Sequence, residues 1–77
     1  MLNKGEITSV TNEGNIIGRF PRLPEMGSQI IDKRKKPIGE VTWIFGPVNR
    51  PFVEIRTRLD PKKRLSILDE PIFVEEI

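Results

Sequence analysis

Glycine and proline residues interrupt this chain at intervals of ten residues or fewer, and this spacing leaves room only for short regular elements. The 77 residues include six glycines and seven prolines. The segments between them are rich in β-branched residues and show no long stretch of apolar residues at helical spacing. The pattern therefore predicts an all-β protein.

The alternation of polar and apolar residues predicts about six strands. They cover residues 5–12, 15–20, 27–32 and 38–45, a segment through Val53, Ile55 and Leu59, and residues 71–76. The turn at 12–15 predicts a hairpin of the first two strands, and the strands on either side of residue 48 are expected to form the central pair. Residues 33–37 and 60–64 are predicted to be turns, and residues 65–68 a short connection.

These strands are expected to form one domain, because 77 residues supply a single small core. So short a chain cannot cover both faces of an open sheet. Closure into a six-stranded, Greek-key-like barrel removes the exposed edges and is the predicted fold. Gly39 and Gly46 lack the strand-to-helix context of a phosphate loop and are predicted to allow a bulge and a sharp turn.

The predicted fourth strand has the clearest alternation. Val41, Trp43 and Phe45 fall on one face, and Glu40 and Thr42 fall on the other. Alternation with Val41 and Phe45 predicts that Trp43 lies in the core. The alternative is an exposed platform on which nucleic-acid bases stack.

The composition excludes most classes of enzyme. The chain has no cysteine and no histidine, which removes disulfides, thiolate and imidazole metal ligands, and nucleophiles that depend on a histidine base. The carboxylate pairs at 69–70 and 75–76 do not converge as an acid and a base. We expect no catalytic residues, no metal and no cofactor. The first residues lack a signal-peptide apolar region, and no apolar run reaches membrane-span length, which predicts an intracellular protein.

Positive charge is concentrated in the middle of the sequence. Residues 33–64 hold ten of the thirteen basic side chains and three of the eleven acidic ones. The residues considered for contact with RNA phosphates are Lys33, Arg34, Lys35, Lys36, Lys62, Lys63 and Arg64. The alternative is that these residues form solvated turns.

A loop between two predicted strands, residues 45–52, carries apolar groups where a polar connection is usual. Pro47 and Pro51 fix their own φ and restrict the residues that precede them. The loop therefore loses little entropy on binding, which favours a docking surface for a protein. The alternative is a purely structural turn in which Val48 packs over the end of the barrel.

Three segments carry a resemblance to a known family: Gly27–Asp32, Lys36–Val41 and the string from Ile44 to Phe52, IFGPVNRPF. Over about residues 5–60 the chain resembles the core domain of the small GAR subunit ("Gar one") of box H/ACA ribonucleoproteins, in its short archaeal form. A related nuclear assembly factor has a similar core, and the lack of extensions favours the mature-particle subunit.

The resemblance implies a six-stranded barrel like the second domain of translation elongation factors, and a non-catalytic role. Family members bind the catalytic domain of the dyskerin-type pseudouridine synthase. They assist substrate loading and product release in the guide-RNA-directed pseudouridylation of rRNA. Other H/ACA proteins and the guide RNA would then be indirect partners, and the location would be an archaeal cytoplasm. The competing hypothesis is a stand-alone RNA-binding barrel that uses the basic segment 33–64.

The resemblance also assigns partner-binding residues, which coincide with the apolar loop. They are Ile44, Phe45, Gly46, Pro47, Val48, Arg50, Pro51 and Phe52. Pro47, Val48 and Pro51 are expected to make direct contact, with Arg50 as a charge at the rim. Ile30, Ile31 and Ile38 would extend this surface if they faced outward.

Overall fold

The computed structural model describes residues 3–68 and 70–75, without the side chains of Pro61 and Leu65. The strands are β1 (Asn3–Val10), β2 (Ile16–Arg19), β3 (Gln29–Ile31), β4 (Pro37–Phe45), β5 (Phe52–Thr57) and β6 (Pro71–Val74). One helix, α1 (Pro61–Ser66), lies between β5 and β6.

The six strands close into a barrel in the order β1-β2-β5-β4-β3-β6, and every neighbouring pair is antiparallel. β3, β4 and β5 follow one another as a meander. β2, which precedes the meander in the sequence, lies beside β5. This arrangement of β2, β5, β4 and β3 is a Greek key. The structure confirms the predicted all-β class and the closed six-stranded barrel.

The barrel interior is filled by β-branched residues, as the composition predicts. The buried cluster consists of Ile16, Phe20, Ile30, Ile38, Val41, Val53, Ile55, Ile72 and Val74. Ile7, Ile44, Leu59 and Ile67 pack against it from partly buried positions. β1 contributes Ile7, and each of the other strands contributes at least one residue of the buried cluster. Removal of any strand would therefore expose the core.

Two predicted turns are confirmed at the end of the barrel where β4 begins. The chain turns from β1 into β2 at Gly14, whose φ of 87° suits a residue without a side chain. Between β3 and β4, the Asp32 carboxylate accepts hydrogen bonds from the backbone nitrogens of Arg34 and Lys36, at 2.8 and 2.9 Å. One aspartate thereby holds the basic turn together, while its cationic side chains point to solvent.

The segment after β5 was predicted wrongly as a turn and a connection, since α1 occupies 61–66. Asp60 caps this helix, with its carboxylate accepting a hydrogen bond from the Lys63 nitrogen at 2.9 Å. Pro61 is the first helical residue, a position that needs no donor. The Asp-Pro pair was therefore a helix-start signal.

The predicted strand limits differ from the observed ones by a few residues. β1 begins within the described residues at Asn3 rather than Gly5, and β3 is shorter than predicted. The predicted last strand extends to Glu76, which lies outside the described residues. β6 ends at Val74.

Gly39 lies inside β4, where the strands come unusually close. A Cβ atom at this position would overlap the Arg56 carbonyl oxygen and lie 2.8 Å from Ile55 Cγ2. The predicted bulge lies beside it: Ile30 pairs with Gly39 and Ile31 pairs with Pro37, leaving Ile38 as the extra residue. Glycine is required here for space.

Candidate functional site

A second bulge in β4 decides which side chains the barrel presents to solvent. Val41 pairs with Ile55, whereas Trp43 pairs with Glu54, so Thr42 is an extra residue on the β4 side. Beyond this point the alternation is offset by one residue. Val41 is buried and Ile44 packs against the core, while Trp43 is 60% exposed.

The prediction that Trp43 lies in the core was therefore wrong. So was the expectation that Phe45 shares an inward face with Val41, because Phe45 is 41% exposed. A single extra residue reverses the side-chain direction of every residue that follows it in the strand. The sequence does hold a signal, since Ile38, Val41 and Ile44 recur at a spacing of three, which simple alternation does not allow.

The outward aromatic side chains form one surface, which we call the aromatic face and define as Trp43, Phe45 and Phe52. Phe45 and Phe52 are a cross-strand pair whose rings stack with centroids 5.5 Å apart and planes inclined by 17°. Arg19, the partner of Phe52 across β2 and β5, places its guanidinium carbon 4.7 Å from the Phe52 ring centroid. Cross-strand packing of this kind holds the rings of Phe45 and Phe52 in fixed positions.

The proline loop, residues 46–51, continues the aromatic face beyond the end of the barrel. Gly46 makes the predicted sharp turn at a φ of 87°. The Arg50 nitrogen donates to the Pro47 carbonyl at 3.2 Å, which closes a second turn around Val48. Val48 is 79% exposed. The loop therefore holds an aliphatic side chain out in solvent on a constrained backbone.

Pro51 occupies a different place from the other loop residues. It is buried, and its carbonyl accepts a hydrogen bond from the Phe20 nitrogen at 3.2 Å. Pro51 thus anchors the loop to β2 and has no surface to offer, which corrects the expectation of direct contact. Ile30, Ile31 and Ile38 are buried as well, so they do not face outward and do not extend the surface.

The other residues that the sequence assigned to the site lie at the surface or are half-buried there, except Ile44, which faces inward. Gly46, Pro47, Val48 and Arg50 are exposed, Phe52 is half-buried, and Ile44 packs its side chain against the core. The structure brings these residues together with Phe45 at one end of the barrel. Whether they bind a partner remains a prediction.

Two apolar residues at the same end were not predicted from the sequence. Leu23 and Met26, in the connection between β2 and β3, are 56% and 57% exposed. Gly27 and Ser28 both oppose Val41: the Gly27 nitrogen donates to the Val41 carbonyl, and the Val41 nitrogen donates to the Ser28 carbonyl, each at 2.9 Å. This is a glycine bulge, and it fixes the residues directly after Met26 alongside β4.

The predicted RNA-contacting residues lie at the opposite end of the barrel. Lys33, Arg34, Lys35 and Lys36 are exposed in the turn that precedes β4, and Lys62 and Lys63 are exposed in α1. Arg64 is half-buried, and its guanidinium donates to the Leu59 carbonyl at 3.1 Å. Arg64 therefore serves the fold at least in part, and the other six cations form a basic end.

Two further observations concern the part of the chain that the structure describes. Within 3–68 and 70–75, no three carboxylate side chains converge in a way that would hold a metal ion. The described helix is too short to cross a membrane.

Comparison with known proteins finds a family and two relatives. A family model described as the Gar1/Naf1 RNA binding region matches residues 1–76. An uncharacterized protein of Methanothermobacter thermautotrophicus is 33% identical over 72 residues, which cover 91% of this chain and 78% of that protein. An uncharacterized protein of Methanocaldococcus jannaschii is 46% identical over 52 residues, or 68% of this chain and 63% of that protein.

Proposed function

We propose that this chain is a subunit which binds the dyskerin-type pseudouridine synthase. The chain belongs to the Gar1/Naf1 family of H/ACA-associated RNA-binding proteins, and this membership is the premise of the proposal. The family is an accessory one and not catalytic. In this proposal the chain binds the catalytic domain of the synthase and assists substrate loading and product release during pseudouridylation of rRNA. Its archaeal relatives favour an archaeal cytoplasm as the location.

The observation that carries the proposal is the outward placement of the aromatic face next to Val48. Exposed apolar residues scattered singly need no explanation, but a contiguous group points to an interaction surface. All five large apolar residues that are exposed among the described ones lie at this end or on the aromatic face: Leu23, Met26, Trp43, Phe45 and Val48. Tryptophan and other aromatic residues are also enriched among those that dominate binding energy.

The backbone beneath this surface supports a role in docking. The stacked pair Phe45–Phe52, the turn closed by Arg50 and the anchor at Pro51 restrict the loop before binding. A surface that is already ordered spends less conformational entropy on association, so more of the contact energy appears as affinity.

The experiment is a titration of the purified chain with an H/ACA-type pseudouridine synthase at about 0.15 M salt. Val48→Glu is the decisive variant. Because Val48 is 79% exposed, the substitution should change the free energy of unfolding by less than about 0.5 kcal/mol. Placing a charge in the middle of an interface should weaken binding by about 2 kcal/mol or more, or roughly 30-fold.

Ser9→Glu is the matched control, because Ser9 is exposed on β1, away from the loop, and receives the same charge. It should bind the synthase like the wild type. Equal affinity of the Val48→Glu and Ser9→Glu variants would remove the assignment of the loop as the contact surface. Absence of binding by the wild type would remove the proposed partner.

RNA binding through the basic end is the second candidate function, favoured by the family description and by the six exposed cations. A guide RNA titrated against the isolated chain should then bind with an affinity that falls steeply as salt is raised. Replacing Lys33, Lys35 and Lys36 with glutamine should reduce that salt dependence. Trp43→Ala tests whether base stacking also contributes to RNA affinity, since an exposed indole can stack on a base.

A further inference from the structure

We propose that a small cationic cleft beside the aromatic face receives one carboxylate side chain from the protein partner. The inference rests on the proposed function and specifies the chemistry of the partner surface. The cleft lies where β1, the end of β2 and the proline loop meet. Its basic residues are Lys4, Arg19 and Arg50.

The cleft has a volume of about 250 Å³ and is also lined by Gly5, Glu6, Phe20 and Pro21. A side chain would not fit at Gly5, because a Cβ atom there would lie 2.6 Å from the Phe20 ring. Three cations thus surround one concave site that contains a single acidic residue. Such a site has an excess of positive charge and room for a carboxylate group.

Arg19 lies between Glu6 and Phe52, its cross-strand partners on β1 and β5. Its Nε atom is buried and has no hydrogen-bond partner within the described residues. The contact with the Phe52 ring positions the guanidinium but supplies no acceptor for its N–H groups. Since Nε is covered in the free chain, a partner carboxylate in the cleft would bind the terminal N–H groups of the guanidinium through paired, charge-assisted hydrogen bonds.

The arrangement favours a protein carboxylate over an RNA phosphate. The three cations converge on one site, whereas backbone recognition of nucleic acid uses cations spread along a track. The exposed lysines of the basic end lie at the other end of the barrel. Arg50 belongs to the proline loop and Arg19 contacts Phe52, so the cleft is continuous with the proposed docking surface. A protein that covers the aromatic face therefore reaches the cleft.

The test compares binding of the synthase by wild type, Arg19→Gln and Arg50→Gln, with Arg58→Gln as the control. Arg58 is exposed in the connection between β5 and α1, so its variant has the same net charge without touching the cleft. We expect Arg19→Gln to weaken binding roughly 30-fold, as for a desolvated charge pair. Arg50→Gln should weaken it several-fold, and Arg58→Gln should leave it unchanged.

Arg19→Lys separates charge from geometry. It keeps the cation but loses the planar fork that a carboxylate accepts in two places, so it should bind more weakly than wild type and more strongly than Arg19→Gln. Thermal unfolding of each free variant shows whether loss of the Phe52 contact alters the fold. If Arg19→Gln unfolds, Arg50→Gln and Lys4→Gln decide the matter.

The outcomes separate the two proposals. If wild type binds the synthase and the Arg19, Arg50 and Lys4 variants bind equally well, the carboxylate site is refuted while the docking surface stands. If wild type does not bind the synthase, both are refuted. If these variants bind the synthase normally and lose guide RNA instead, the cleft is a phosphate site and the inference is overturned.

Discussion

Replacing Gly39 with alanine should be one of the most damaging single-methyl additions in this barrel. The new Cβ atom would overlap the Arg56 carbonyl oxygen and crowd Ile55, 2.8 Å away. Restoring van der Waals separation requires β4 and β5 to move apart locally by on the order of 1 Å. This movement stretches the flanking ladder hydrogen bonds, which contribute roughly 0.5–1.5 kcal/mol each.

Loss of two such bonds together with the displaced Ile55 gives an expected cost of about 3 kcal/mol, in line with other overpacked sites. A chain of 77 residues is expected to have a free energy of unfolding of roughly 4–12 kcal/mol. Gly39→Ala should therefore remove a quarter or more of the total. In a thermal scan, the melting temperature should fall by about 12–24 °C.

Gly27→Ala is the control, because it measures the cost of a side chain at a left-handed backbone conformation where no neighbouring atom is in the way. Gly27 has a φ of 84°, and no atom lies within 4 Å of the position of its Cβ. Its substitution should cost about 1–2 kcal/mol, the penalty of a left-handed residue with a side chain. Urea denaturation of both variants measures the two costs. The reasoning fails if Gly39→Ala is no more destabilised than Gly27→Ala.

Three further predictions concern local structure. Trp43→Ala should reduce the free energy of unfolding by less than Ile55→Ala, for which about 2–5 kcal/mol is expected at a fully buried site. Urea denaturation measures both costs, and a larger cost for Trp43→Ala would mean that Trp43 lies in the core. Asp60→Ala should cost about 1 kcal/mol, because the capping bond to the Lys63 nitrogen is lost, and an unchanged melting temperature would count against the cap. Lys35 has a φ of 66°, so Lys35→Gly should raise stability by up to about 1 kcal/mol, and a clear loss in the same assay would contradict this.

The fold was predictable because its main determinants are local in the sequence. Glycines and prolines mark the turns, and β-branched residues between them mark the strands. Closure follows from the small number of residues that must bury a core. The helix α1 was missed because a polar segment that begins Asp-Pro suits a turn as well as a capped helix. Six residues are too few to show a periodic pattern.

The candidate site was predictable in its loop but not in its strand. Pro47 and Val48 were assigned from local chemistry, and the structure places both at the surface. Trp43 was assigned from alternation, which assumes an unbroken register. The bulge at Thr42 depends on the pairing of β4 with β5, and pairing is a tertiary property. The cleft around Arg19 joins residues far apart in the chain, so no local pattern could have predicted it.

The extra residue at Thr42 offsets the alternation of inward and outward side chains along β4 by one position. In a chain this short the effect is large, because one residue turns two aromatic side chains outward without a longer loop or a further element. The hydroxyl of Thr42 helps to hold this register by donating to the Glu54 carbonyl at 3.3 Å. If the strand slipped by one residue to remove the bulge, Trp43 and Phe45 would have to enter an interior that is already filled. The same packing that stabilises the barrel therefore keeps its aromatic residues on the outside.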